Sequence, residues 1–260
     1  MATEIHPTAI VHEGAMLDED VTIGPYCVIG GEVKIGKSCR LVSHVFMEGN
    51  TEVGQGCTIH PFATIGLPPQ DVKYKGEGTA LRIGSNNIIR EYASIHRASV
   101  GGDGVTEIGD NNFLMAYIHV AHDCKLGSNI VMANTVGLSG HVSVEDYSVI
   151  GGMVGVHQFV RIGAYSMVGG YSRIGQDIPP YMMVSGAERS RLYGVNAVGL
   201  KRRGFPDETI NELKAAYKIL FRQKLSLQDA LKKVQEELPY TEEIGRLVEF
   251  IKKNKRGICR

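Results

Sequence analysis

Residues 21–41 read VTIGPYCVIGGEVKIGKSCRL, with Ile23, Ile29, Ile35 and Leu41 six residues apart and glycine directly after the first three. A helix repeats about every 3.6 residues and a strand every two, so a period of six fits extended chain and not helix. The register holds from Ile5 to Ile65, from Ile83 to Ile95 and from Ile108 to Ile174, through twenty-six aliphatic positions in all. Glycine so close behind each aliphatic residue breaks a strand before a flat sheet can grow. Short strands must therefore turn. Three six-residue sides make an 18-residue coil, and coils stacked at roughly 4.8 Å bury each aliphatic residue over its counterpart while pairing the backbones. The expected fold is mainly β, a parallel β-helix built on a hexapeptide-repeat solenoid.

Four positions after many of these residues stands a second small one, as at Cys27, Val33, Cys39, Thr51, Cys57 and Ala63, suited to a tight inside corner. Three of the five cysteines are thereby assigned to the core. The register breaks twice. Ile65 to Ile83 spans a full coil whose sequence abandons the pattern, and Ile95 to Ile108 carries an insertion, so loop excursions are expected at about 66–82 and 96–107. Irregular loops on a rigid scaffold are where binding is usually found. The repeat is expected to stop at Pro179-Pro180, dividing the chain into a β-helix over 1–180 and a small C-terminal α-helical region over 181–260. There Ile210, Leu213, Tyr217, Leu220 and Phe221 mark one helix, Ser226 to Asp229 a capping box for a second with Leu227, Leu231, Val234 and Leu238, and Thr241 the start of a third with Ile244, Leu247, Val248 and Ile251.

Lys plus Arg equals Asp plus Glu at 28 each, which gives no global field for nucleic acid or a membrane surface. No stretch reaches the ~20 apolar residues of a transmembrane segment, and no export signal opens the chain. An odd number of cysteines without that signal favours free thiols in a reducing compartment, so a cytoplasmic location is expected.

Eighteen residues per coil convert sequence separation into stacking. His122, Gly140 and Gln158 then form one column, His141 and His157 lie beside it, and His119 shares a strand with His122. Any one outward histidine reads as solvated surface; four of nine meeting at one patch, with Asp123 adjacent, read as a site. Imidazole with an ordinary pKa of about 6.5 suits proton removal, and a neighbouring carboxylate can orient it. Contact between His122 and Asp123 requires the backbone to turn near Cys124. The Gly140 N–H, unobstructed by a side chain, can hold an oxyanion. Stacked histidines can also bind zinc. A structural or ice-binding solenoid needs uniform flat rows, which the two interruptions break.

The hexapeptide repeat marks the left-handed β-helix acyltransferases. HVAHDC (119–124), GHVSV, IGGMVGVHQF, QDVKYKGE and GVNAVGLKRRGF together resemble the acyl-carrier-protein–UDP-N-acetylglucosamine O-acyltransferases over nearly the whole chain. The resemblance implies transfer of an R-3-hydroxyacyl group from acyl carrier protein to the 3-hydroxyl of UDP-N-acetylglucosamine, the opening step of lipid A synthesis, with no cofactor and no metal. It implies His122 as base, Asp123 as its orienting partner and Gly140 as oxyanion donor. His119, His141, His157 and Gln158 would contact sugar, nucleotide or thioester; Gln70, Asp71 and Lys73 bind substrate from the first excursion; Asn196, Arg202 and Arg203 bind nucleotide and phosphate. The family carries an acid two residues after that asparagine, where this chain has Val198, so that contact is not expected. A homotrimer with sites between subunits is also implied, for which the outward Met115 and Tyr117 would serve. Asn134, Gly152 and Gly170 stack by the same spacing, and the two glycines are expected to floor an acyl-chain groove long enough for about fourteen carbons. The alternatives are a hexapeptide-repeat acetyltransferase and a zinc-dependent carbonic-anhydrase-like enzyme.

Overall fold

A computed structural model of the chain describes residues 3–260. The repeat folds as read: a mainly β, left-handed parallel β-helix with a few helices at its C-terminal end. Its first face is an 11-stranded sheet starting at Glu4–Ile5, its second a 9-stranded sheet starting at Ile10–Val11, and its third an 8-stranded sheet starting at Met16–Leu17. Within each repeat-built face, neighbouring strands are parallel and eighteen residues apart wherever no excursion intervenes, as in Thr22↔Arg40 and His119↔Gly137. The aliphatic residue of almost every repeat from Ile23 to Ile174 is fully buried, as are Cys27, Cys39, Cys57, Cys124 and Cys259, all free thiols.

Most corners are made by a residue in the left-handed region. Tyr26, His44, Phe62, Tyr92 and Tyr117 take it between the first and second faces, Asp123, His141 and Phe159 between the second and third, and Asn129, Tyr147, Tyr165 and Tyr181 between the third and first. That conformation costs a side-chain-bearing residue roughly 1–2 kcal/mol. Stacking offsets part of the cost: Phe62, Tyr92 and Tyr117 follow one another at 5.0 and 4.8 Å.

The excursions are shorter than the sequence suggested, because Thr64–Leu67, Ala80–Ile83, Ser94–His96 and Val105–Ile108 extend their strands into them. Nor does the solenoid stop at Pro179-Pro180. The Gly163 N–H donates to the Ile178 carbonyl on the following coil and the Tyr181 N–H to the Ala164 carbonyl on the preceding one, and Met182–Ser185 adds in parallel to Met167–Val168. The prolines sit where the turn needs no N–H from them. Arg191–Val195 then closes the first face antiparallel. Helices follow: α1 (Ala197–Arg202), α2 (Asp207–Arg222), α3 (Leu227–Glu237) and α4 (Glu242–Lys252). The last three are those the helical spacing predicts, with Ser226 and Thr241 accepting the N-terminal amides of α3 and α4. Of the apolar residues named for α2, Phe221 is only half-buried. The short α1 lay below the reach of periodicity.

Candidate active site

His122 and Asp123 form the turn between strands His119–Val120 and Lys125–Leu126. The turn falls on these two residues, next to Cys124 as their contact requires, and Cys124 itself is buried inside the coil. At φ 59° Asp123 swings its carboxylate back under its predecessor, so that His122 Nδ1 and Asp123 Oδ2 stand 2.7 Å apart. On a straight strand the two side chains would oppose each other. With the carboxylate accepting at Nδ1, neutral imidazole carries its lone pair on Nε2. The Asp123 side chain is only 3% exposed and also accepts the Ser99 N–H at 3.1 Å, which fixes its orientation. The His141 ring stands perpendicular to that of His122 at 5.2 Å, with its Nε2 3.8 Å from Asp123 Oδ2.

One coil on, an added Cβ at Gly140 would meet His122 Cε1 at 2.5 Å, so glycine is what lets the imidazole lie there. Ser139 and His141 donate their N–H groups to Val156 and His122, whereas the Gly140 N–H between them has no partner among the described residues. A free N–H beside a base is the arrangement an oxyanion requires.

These groups open on a cleft of about 530 Å³ that brings together Gln70, His119, His122, Gly140, His157 and Gln158. His119 Nδ1 bonds Ser94 Oγ at 2.7 Å, and burial, with His96 and His122 nearby, pushes its pKa down to about 4. It therefore faces the cleft as a neutral group. His157 Nδ1 contacts Arg256 Nη2 at 3.1 Å, which leaves its Nε2 for the cleft. Asp71 and Lys73 do not line this cleft. The Asp71 carboxyl is held below its usual range by the Lys73 backbone N–H and the Ser99 hydroxyl, while the Lys73 side chain is exposed.

The column rule could have found Gly137, Gly155 and Arg173, which succeed His119 at eighteen-residue steps and also line the cleft. Glycine carries no functional group and draws no attention in sequence. A larger concavity, about 820 Å³, lies on the third face. Its Lys34, Glu52 and Arg82 are engaged with one another, at 2.8 and 3.2 Å, and offer a ligand little.

Residues 177–259 match the family described as UDP N-acetylglucosamine O-acyltransferase, domain 2. The chain is 64% identical to the acyl-[acyl-carrier-protein]–UDP-N-acetylglucosamine O-acyltransferase of Thermodesulfovibrio yellowstonii over 257 residues, 99% of both chains. To the enzyme of that name from Syntrophobacter fumaroxidans it is 46% identical, over 99% of this chain and all of the relative. The chain belongs to this acyltransferase family. The solved UDP-N-acetylglucosamine acyltransferase of Francisella novicida superposes with a TM-score of 0.96 at 42% identity, covering 98% of this chain and 94% of that one. The Acinetobacter baumannii LpxA structure gives 0.96 at 44%, covering 98% and 99%.

Within this acyltransferase chain, three residues expected at the site lie elsewhere. Asn196 caps α1, its Oδ1 accepting from the Gly199 N–H at 3.2 Å and its Nδ2 donating to the Tyr165 carbonyl at 2.9 Å. Arg203 lies over the Tyr147 ring at 4.5 Å, and Arg202 is exposed in the last turn of α1. Tyr147 and Tyr165 are on the corner between the third and first faces, whereas His122 is on the next corner round. One chain alone does not bring these groups to its own cleft, because α1 leaves the solenoid at the first face. Val198 is exposed in α1 and faces no partner of the cleft. Gly152 and Gly170 stack as expected, each added Cβ meeting the carbonyl one coil back at 3.3 and 3.2 Å. They sit on the corner between the first and second faces. Neither lines the cleft, although Gly155, which does, begins the second-face strand just beyond Gly152.

Proposed function

We propose that this protein transfers an R-3-hydroxyacyl group from acyl carrier protein to the 3-hydroxyl of UDP-N-acetylglucosamine, the opening step of lipid A biosynthesis. The observation that carries the mechanism is the His122–Asp123 pair set against the free Gly140 N–H. His122 Nε2 takes the proton of the sugar hydroxyl as its oxygen bonds to the thioester carbon. The carbonyl oxygen becomes an oxyanion held by the Gly140 N–H, and Asp123 steadies the imidazolium. Collapse breaks the carbon–sulfur bond, and the carrier-protein thiolate leaves with the proton that His122 took. No covalent enzyme intermediate is needed. Gln70, His119, His141, His157 and Gln158 line or border the space where sugar and thioester meet; Asp71 and Lys73 reach the sugar nucleotide from the excursion above it.

Arg202, Arg203 and Asn196 join this reading through a homotrimer in which one subunit's α1 completes the cleft of its neighbour. Two features support it: their displacement by one corner from His122, and the exposed ladder of Tyr26, Phe62, Tyr92 and Tyr117 on the first corner. Guanidinium forks suit phosphate. Co-expressed His122→Ala and Arg203→Ala chains should then regain activity in mixed assemblies that neither variant has alone; a light-scattering mass of one chain would end the trimer reading. No helix among the described residues is long and apolar enough to cross a membrane. A cytoplasmic location fits the five buried free cysteines.

A zinc reading has its own observation, since ligand atoms of His122, Asp123 and His141 lie within 4.8 Å of one another. Against it, Asp123 Oδ2 already serves His122 and the Ser99 N–H, contacts a metal would have to displace. One experiment separates the readings: purified protein is offered acyl-carrier-protein thioester with UDP-N-acetylglucosamine, acetyl-CoA with sugar acceptors, and carbon dioxide, each with and without chelator. Chelator-resistant acyl transfer from the carrier protein is expected. Activity lost to chelator and restored by zinc would replace this mechanism.

A further inference from the structure

Ser99 makes two bonds in two directions. Its backbone N–H donates to Asp123 Oδ2 at 3.1 Å and its hydroxyl donates to Asp71 Oδ2 at 2.7 Å. It links the first excursion, carrying Gln70 and Asp71, to the His122–Asp123 pair, and it is almost fully buried. The loop that follows is shaped to the same end. Gly102 lies directly against Asp123, so that an added Cβ would overlap the carboxylate, and Asp123 Oδ1 has no hydrogen-bond partner among the described residues. The loop is pinned by the Asp103–Lys125 ion pair, and the Asp123 N–H donates to Thr106 Oγ1 at 2.9 Å. The second excursion thus encloses the carboxylate that orients the base while holding the excursion above it. We propose that Ser99 is a positioning residue that couples the two: its hydroxyl sets the height of the Gln70–Asp71 loop over the cleft, and its N–H, with Gly102, sets the Asp123 carboxylate. The inference rests on reading His122 as the base and Asp71 as a contact of the sugar nucleotide.

The two halves of the coupling separate by mutation. Ser99→Ala removes the hydroxyl and keeps the N–H, so KM for UDP-N-acetylglucosamine should rise about tenfold, the usual effect of losing a hydrogen bond to a charged group. Its kcat should change by less than about threefold. Ser99→Thr, which keeps a hydroxyl, should restore KM. In an Asp71→Ala background, Ser99→Ala should add nothing. Gly102→Ala should do the reverse, lowering kcat by roughly ten- to a hundredfold through a displaced Asp123 at unchanged KM. Unaltered KM in Ser99→Ala overturns the proposal, as does an equal loss in Ser99→Thr or a full additive loss on top of Asp71→Ala. Lowered melting temperatures with kcat and KM falling together in every variant would show a purely structural segment and overturn it too. Substantial activity in His122→Ala would instead remove the base, leaving the Ser99 result on KM to be judged separately.

Discussion

The second and third faces of the prism share one backbone and differ in what stands outward at the same place on successive coils. Along the third face the outward residues Lys34, Glu52, Arg82, Glu107 and Lys125 follow one another in register, alternating in sign. Along the second, Ser94 and His119 give way to Gly137 and Gly155 before Arg173. The third face holds the larger hollow, yet Lys34, Glu52 and Arg82 satisfy one another there and Lys125 is paired with Asp103. The second has lost its side chains where the cleft deepens, and the adjoining corner supplies histidine, carboxylate and a free N–H. A repeat becomes a site where its outward residues stop pairing among themselves, and size of hollow is no guide.

The sharpest way to break this contrast is at the corner. His122→Ala is expected to lower kcat by ~10²–10⁴-fold with the melting temperature little changed, since the side chain fills no core volume. A purified variant keeping a tenth of wild-type rate would deny the second face its chemistry. Next come the stacked corner glycines, read as the floor of an acyl path. Gly170→Met should reverse the preference between long and short 3-hydroxyacyl thioesters, because each methylene denied burial forfeits roughly 0.8 kcal/mol. The added side chain must also push past the Gly152 carbonyl, so stability should be measured alongside. An unchanged length preference would place the end of the acyl path elsewhere.

A smaller effect follows from His119. Its folded pKa of about 4 lies below the ordinary 6.5, so between those values the unfolded chain takes a proton that the native state refuses. Stability should therefore fall as pH drops from about 6.5 toward 4, by on the order of 1 kcal/mol after allowing for solvent screening of a partly open group. His119→Gln should remove that share of the fall in urea titrations at pH 7 and 4.5; an identical slope in both proteins would assign it to other groups. Least of all should come from the third face, where Glu52→Gln breaks exposed ion pairs and should change stability by less than about 1 kcal/mol and turnover not at all. A large loss of activity there would mean that the bigger hollow is used after all.

The solenoid was legible because its core is local: a residue's fate depends on its place in a six-residue repeat, and coil height turns eighteen residues into a neighbour. That rule reached His122, Gly140 and Gln158 without a structure. It reaches Gly137 and Gly155 too, but what they give the cleft is an absent side chain, which nothing in a sequence marks. It also ended where the register ends. Ser99 and Asp71 meet through two irregular loops whose separation in sequence carries no period, and Asn196, Arg202 and Arg203 hang on a helix whose direction the coils do not dictate. Pro179-Pro180 misled for a simpler reason, since proline bars an N–H from a ladder but not a chain from turning a corner.

The bare Cα of Gly140, the Asp123 carboxylate and the perpendicular His141 ring leave the His122 imidazole a single place to be. Freezing a side chain at the moment of encounter costs roughly 0.5–1.5 kcal/mol in rotamer freedom. Here that ordering is completed when the coils stack, so the imidazole has no conformational search left to make, which is what the proposed base would need.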